Sequence, residues 1–212
     1  MELHFAGHYW DVTDCGDRQV GPGPNLFRAE NVRLTPDGLH LAIRQTHGHW
    51  TCAMANLRTR LNYGTYTFSV IGRLDELDSN VVLGLFLYRD DDHELDIECA
   101  RWGVPGADGL HYSLQPASPA TTAAFPLALH GTHTTHRIVW HPGQVTFVSW
   151  HGHYSRPPSA DHVFGAWRYP QPYHKPSSEV AAVNLWLLGG QPLIDGQEAE
   201  VTIADFTYTP HR

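Results

Sequence analysis

The sequence holds a single lysine, Lys175, among its 14 basic residues, and its arginines are scattered singly. Acidic residues number 22, the formal charge is −8, and no basic stripe is present. Nucleic acid and anionic membrane surfaces are therefore not expected as partners. Three cysteines (Cys15, Cys52 and Cys99) cannot build a disulfide framework, and no CxxC pair suggests structural zinc. The most apolar run, 180–188, is short and interrupted by Asn184, so it cannot span a bilayer as a helix. The opening Met1-Glu2-Leu3-His4 has neither a charged n-region nor an apolar h-region. A secretory signal is thus expected to be absent or already removed. Charged residues make up only 17% and hydrophobic ones 42%, which argues for a packed core and against disorder. The 16 histidines include the close pairs His47/His49, His133/His136 and His151/His153. None comes with a HExxH or other matched ligand set, so metal catalysis is not expected.

Helical periodicity is scarce, and alternation is everywhere. Leu39, Leu41 and Ile43 face one way and their neighbours the other. Tyr66, Phe68 and Val70 alternate with Thr65, Thr67 and Ser69; Val81, Leu83, Leu85 and Leu87 alternate with Val82, Gly84, Phe86 and Tyr88. Leu110, Tyr112 and Leu114 alternate with His111, Ser113 and Gln115. Further strands are predicted over 26–34, 50–58, 93–101, 134–140, 143–150, 179–188 and 197–208. In the last, Phe206 and Tyr208 break the phase set by Ala199, Val201 and Ile203, which predicts a β-bulge near Asp205. Turn signals at 36–38, 141–143 and 195–196 separate such runs. About a dozen short strands without a convincing helix predict an all-β sandwich or barrel, in one domain spanning 1–212. The stretches 116–133 and 152–178 exceed simple hairpins. The second, rich in proline and aromatics, is expected to form a functional rim.

Chemistry concentrates in His93-Glu94-Leu95-Asp96-Ile97-Glu98-Cys99. On a strand, Leu95, Ile97 and Cys99 point to one face and Glu94, Asp96 and Glu98 to the other. Successive carboxylates then start roughly 6.6 Å apart at the Cα atoms. Side-chain reach and sheet curvature can bring the outer two to about 5–5.5 Å, the separation that glycoside hydrolysis with retention requires. Two carboxylates ~5 Å apart in an effective dielectric of ~20 repel by about 3 kcal/mol, so one is expected to stay protonated near neutrality. That suits a general acid. A solvated acidic face, with or without a bound cation, is the alternative.

Neighbouring motifs favour the catalytic reading. Glu94-Leu95-Asp96-Ile97-Glu98 resembles the signature of glycoside hydrolase family 16, β-glucanases with a concanavalin A-like jelly roll. Tyr63-Gly64-Thr65-Tyr66-Thr67-Phe68 is similar to the family's YGxYEx strand, with Thr67 in place of the usual Glu. Val82 to Tyr88 resembles the strand ahead of the catalytic one. His136 to Pro142 and Val145-Thr146-Phe147 resemble the paired strands joined by a Pro-containing turn. Val183-Asn184-Leu185-Trp186 resembles the MNLW strand, and Val201 to Tyr208 the closing strand. The resemblance runs from about Trp10 to Thr209, in the family's order. It implies a two-sheet antiparallel β-sandwich, with Glu94 as nucleophile, Asp96 as assisting acid and Glu98 as general acid/base. The ungapped ExDxE form is that of lichenases and xyloglucan-active members, which leans the substrate toward glucans containing β-1,4 linkages.

Sugar rings present CH-rich faces and a rim of hydroxyls, so a cleft needs aromatic planes beside polar side chains. Strand parity places Phe86, Tyr88, His111, Ser113, Gln115, Asn184 and Trp186 on the acidic face, with Trp102 capping one end. Asn25, in Gly-Pro-Gly-Pro-Asn, is similar to a cleft-rim Asn of lichenases. Met54, in Ala-Met-Ala, stands where many members place a glucosyl-binding Glu. The resemblance further implies a structural Ca²⁺ held by the Gly38 carbonyl and Asp205, with no cofactor for catalysis. The expected partner is a polysaccharide or oligosaccharide substrate, bound by a monomer. Two functions stay open at this point: a retaining endo-β-glucanase or transglycosylase, and a carbohydrate-binding jelly roll without catalysis.

Overall fold

Alternation of apolar and polar residues becomes two stacked sheets in the computed structural model, which describes residues 1–211. The strands are β1 (Glu2–Phe5), β2 (His8–Val12), β3 (Val32–Thr35), β4 (Gly38–Thr46), β5 (His49–Thr51), β6 (Ala53–Leu57), β7 (Gly64–Ile71) and β8 (Val81–Asp90). They continue as β9 (His93–Ala100), β10 (Leu110–Leu114), β11 (Thr122–Phe125), β12 (His133–His141), β13 (Gln144–His151), β14 (Val163–Tyr169), β15 (Val180–Leu187) and β16 (Ala199–Pro210). One sheet runs β1-β2-β6-β15-β8-β9-β10-β11 and the other β14-β13-β12-β7-β16-β4-β3, with β5 paired to β4. All pairings between these strands are antiparallel. Helix among the described residues is confined to 3₁₀ turns of three residues. This is the expected two-sheet antiparallel sandwich.

Parity decides what fills the space between the sheets. Tyr66, Phe68 and Val70 of β7 are buried, while Thr65, Thr67 and Ser69 between them are half-exposed. Leu95 and Ile97 of β9 are buried against the same core. Aromatic contacts bridge the layers: Tyr112 stacks on Phe147 at 5.1 Å, and Trp10 meets Phe206 edge-on at 5.3 Å. Such rings each contribute roughly 1.5–3 kcal/mol by leaving water. A buried polar knot joins the layers as well. Tyr112 Oη donates to Ser149 Oγ at 2.8 Å, which lies 2.8 Å from His136 Nδ1, and Thr134 Oγ1 lies 3.0 Å from His136 Nε2. Burial depresses the His136 pKa to about 3, so the ring is neutral and tolerated there.

The phase break in the last strand is a register shift between Ile203 and Asp205 against β7, as expected from the sequence. Other expectations are corrected. The predicted strand 26–34 becomes a 3₁₀ turn, Ala29–Asn31, followed by β3, and only Phe27 bridges to Cys52. The run 50–58 breaks into β5 and β6. The long stretches hold strands of their own, β11 and β14, and β1 and β2 were not foreseen. Their alternation is short and weak: β11 is Thr-Ala-Ala-Phe, with little apolar contrast to read.

Gly38 and Asp205 flank this bulge. The Gly38 carbonyl already accepts from Thr35 Oγ1 at 3.1 Å. Asp205 is exposed and shares a groove with the Arg137 guanidinium. A Ca²⁺ ion takes six to eight oxygens. One carbonyl that already accepts a hydrogen bond and one carboxylate do not make that set. Among the described residues no group of three His, Cys, Asp or Glu side chains is placed to hold a metal. The expected Ca²⁺ therefore receives no role. Gly38 has a different function in the fold. Its φ is +133°, and a Cβ there would collide with the Ile203 carbonyl and lie 2.8 Å from the Ala204 Cα. Gly38→Ala is expected to destabilise the protein by about 1–3 kcal/mol from backbone strain alone. A denaturant melt with unchanged m-value and a lower midpoint would show it.

Candidate active site

The outward face of β9 meets its neighbours in three rows. Met54, Asn184, Gly84, Glu98 and His111 lie side by side across β6, β15, β8, β9 and β10. Asn56, Ala182, Phe86, Asp96 and Ser113 form the next row on the same strands. Tyr88 pairs with Glu94 in the third. Hydrogen-bond register thus sets every carboxyl beside an aromatic or amide neighbour. Gly84 makes the crowding possible, since a Cβ there would strike Asn184 Oδ1 and lie 3.3 Å from the Phe86 ring.

A cleft of about 500 Å³ opens over these rows, lined by Glu94, Asp96, Glu98, Phe86, Tyr88, Gln115, Asn184 and Trp186. These eight residues were all expected from the sequence. Gly21, Pro22, Met54, Gly84 and Asp91 complete the wall. Trp186 is only 8% exposed, its ring set edge-on to Trp102 at 6.3 Å. Asn184 Oδ1 is buried without a protein partner, an acceptor open to a ligand hydroxyl.

Four expected cleft residues are placed elsewhere. Asn25 is buried, and its amide is consumed by the fold: Nδ2 donates to the Pro22 and Leu187 carbonyls at 2.8 Å each, and Oδ1 accepts from Cys52 Sγ at 3.3 Å. It pins the loop carrying Gly21 and Pro22 rather than reaching the cleft. His111 lies next to Glu98 in register, but its Nε2 sits 3.0 Å from the carbonyls of Ala100 and Asp108. Its ring packs on Trp102 at 5.7 Å. Trp102 thus packs against both Trp186 and His111 and is not among the residues lining the cleft. Ser113 also stands one layer back, its Oγ donating to Asp96 Oδ2 at 3.0 Å. Asp91 went unnoticed because a run of three aspartates in a hairpin tip, 90–92, reads as a solvated turn. It is the acceptor for Tyr88 Oη at 3.0 Å.

Electrostatics ties the three carboxyls together. Burial pushes the Glu94 pKa up to about 9, helped by the Asp96 charge, a hydrogen bond shared with Asp96, and Asp91. Burial and the Glu98 charge raise Asp96, against the opposing pull of hydrogen bonds from Glu94, Ser113 and Gln115. Glu98 is raised by burial and by the Glu94 charge, with no hydrogen bond to offset them. Three buried anions at this spacing cannot coexist near neutrality, so the triad retains protons. Glu98 is displaced in the direction a general acid requires.

Such displacement costs stability, with a definite sign. The ordinary glutamate value is 4.5, and Glu98 in the folded chain lies above it. Between those values the folded chain keeps a proton that the unfolded chain releases, so rising pH favours unfolding. Glu98→Gln removes the titration. Its thermal midpoint is expected to exceed that of the wild type at pH 8 by a gain worth at least about 1 kcal/mol. At pH 4 the gain should vanish, because both states then hold the proton. Parallel melts at the two pH values check this.

No family model matches the chain, and no curated protein matches it. Solved structures do. A β-1,3-1,4-glucanase (lichenase) derived from a mouse hindgut metagenome superposes with a TM-score of 0.68 at 18% identity, covering 95% of this chain and 93% of its own. An immunostimulatory antigen and pseudo β-1,3-glucanase of Mycobacterium tuberculosis gives 0.67 at 18% identity, covering 96% and 91%. A glycoside hydrolase family 16 endo-glucanase from Bacteroides ovatus, in complex with G4G3G-2F-DNP, gives 0.64 at 13% identity and 94% of each chain. The fold is the jelly roll of the family 16 β-glucanases, reached with little sequence in common.

Proposed function

We propose that this protein is a retaining, endo-acting β-glycoside hydrolase for β-glucan-type polysaccharides. The observation that carries the reading is the order Glu94, Asp96, Glu98 on one face of β9, all three lining one cleft with raised pKa values. Two outer carboxyls separated by a third that exchanges a proton with one of them match the needs of double displacement. Fold likeness to endo-glucanases supports the reaction class. Trp186, Phe86 and Tyr88 supply planes for sugar rings, and Asn184 with Gln115 supplies polar contacts.

The chemistry runs in two steps. The proton shared by Glu94 and Asp96 settles on Asp96, leaving the Glu94 carboxylate to attack the anomeric carbon. Protonated Glu98 gives its proton to the departing glycosidic oxygen as that bond breaks. In the second step the Glu98 carboxylate takes a proton from water, the resulting hydroxide attacks the same carbon, and Glu94 leaves as a carboxylate. No cofactor takes part, and one chain contains every group needed.

A second reading has one observation in its favour: a protein of the same fold is described as a pseudo β-1,3-glucanase. It would make this chain a binder that releases no product. Release of reducing ends from barley β-glucan, laminarin, xyloglucan or agarose separates the two, since binding without release, unchanged in Glu94→Gln, is what the binder requires. With an activated aryl glycoside, Glu98→Ala is expected to keep its first step and accumulate glycosyl-enzyme visible by mass spectrometry, whereas Glu94→Ala forms none. Trp186→Ala should weaken oligosaccharide binding by roughly 1–3 kcal/mol through lost stacking and apolar area, read by calorimetry.

A further inference from the structure

The ladder between β9 and β10 ends at the Leu95–Leu114 pair. One residue beyond, the Gln115 N–H donates to the Glu94 carbonyl at 3.0 Å. Beyond it the pairing with β9 stops at Pro116. The Gln115 carbonyl at this frayed end is met instead by the Tyr173 hydroxyl at 2.5 Å, with the Glu94 carbonyl 3.1 Å from the same oxygen. One hydroxyl proton faces two acceptors, so the shorter contact, to Gln115, takes it. Gln115 is not a passive partner. Its Nε2 lies 3.5 Å from Asp96 Oδ2.

Tyr173 belongs to a strap, 170–179, fixed on the C-terminal side of that contact. Glu179 is 2% exposed, and its Oε2 accepts the N–H groups of Ser177 at 2.7 Å and Ser178 at 3.1 Å. Arg89, at the end of β8, donates to Ser177 Oγ at 2.7 Å. The His174 ring packs edge-on against His93 at 4.6 Å and Trp140 at 5.2 Å. The strap is thus tied to the starting end of the very strand that carries the three carboxyls.

We propose that Tyr173 is a positioning residue for Glu94: its hydroxyl closes the open end of the β9–β10 ladder at the Gln115 carbonyl and thereby fixes the backbone of Glu94 and Gln115. The inference rests on the hydrolase reading for its kinetic consequence, but not for its structural one. It also gives the long aromatic segment after β13 a purpose within the site. Without this contact, Glu94 gains freedom and water, and attack on the anomeric carbon loses its alignment.

Tyr173→Phe removes only the hydroxyl. Its kcat is expected to fall about tenfold with KM changed by less than about twofold, because the loss lies in alignment and not in binding. The acid limb of its kcat/KM profile should move to lower pH, since water admitted to Glu94 relieves the burial that raises it. Carbon NMR of labelled carboxyls should show the same downward shift of Glu94 without any turnover. A Glu94 that titrates as in the wild type overturns the proposal. If the wild type releases no reducing ends, the hydrolase reading fails while the carboxyl titration still decides on Tyr173. Should Tyr173→Phe not fold, Ser177→Ala frees the strap from Arg89 and is expected to give a smaller shift of the same sign; no shift there is likewise contradictory.

Discussion

Everything in the cleft answers to the mutual repulsion of three carboxyls on alternate residues of one buried strand. Removing them from water is unfavourable for the charged forms, and their proximity compounds it. The surrounding structure offsets this selectively. Asp96 receives the Ser113 hydroxyl and the Gln115 amide, which lower the cost of its charged form. Glu98 receives no hydrogen bond, and burial with the Glu94 charge holds its pKa above the ordinary glutamate range. One strand thereby holds chemically distinct carboxyls, differentiated by what lies beside each in register. The core side of the same strand, Leu95 and Ile97, anchors this strained row to the sandwich.

Much of this arrangement was legible in the residues. Period-two alternation fixes which side chains share a face, so the eight expected cleft residues followed from parity once the strands were placed. Parity says nothing about reach or competition. His111 shares the face but turns its nitrogen to backbone carbonyls, and Asn25 spends its whole amide on the Pro22 and Leu187 carbonyls and the Cys52 thiol. Trp102 sits in a turn with φ of +52°, its ring edge-on to Trp186. Those outcomes depend on loop paths, which carry no periodic signal. The same holds for Tyr173, whose contact with the catalytic strand spans 58 residues to Gln115 and 79 to Glu94.

Comparison with solved structures sharpens the role of local detail. At 13–18% identity, the jelly roll persists while most side chains differ. What distinguishes a hydrolase from a binder on this scaffold is the site and not the fold. Here all three carboxyls are present, Gly84 leaves them room, and an apolar Met54 occupies the wall beside Asn184.

The central claim is that Glu94 attacks the anomeric carbon directly, which leaves a definite stereochemical record. Proton NMR of the first product released from a soluble mixed-linkage glucan reads it before mutarotation intervenes. The account predicts that the β-anomer appears first and the α-anomer grows in only later. An initial α-anomer would mean inversion by a water held between more widely spaced carboxyls, and would contradict the assignment of Glu94 as nucleophile.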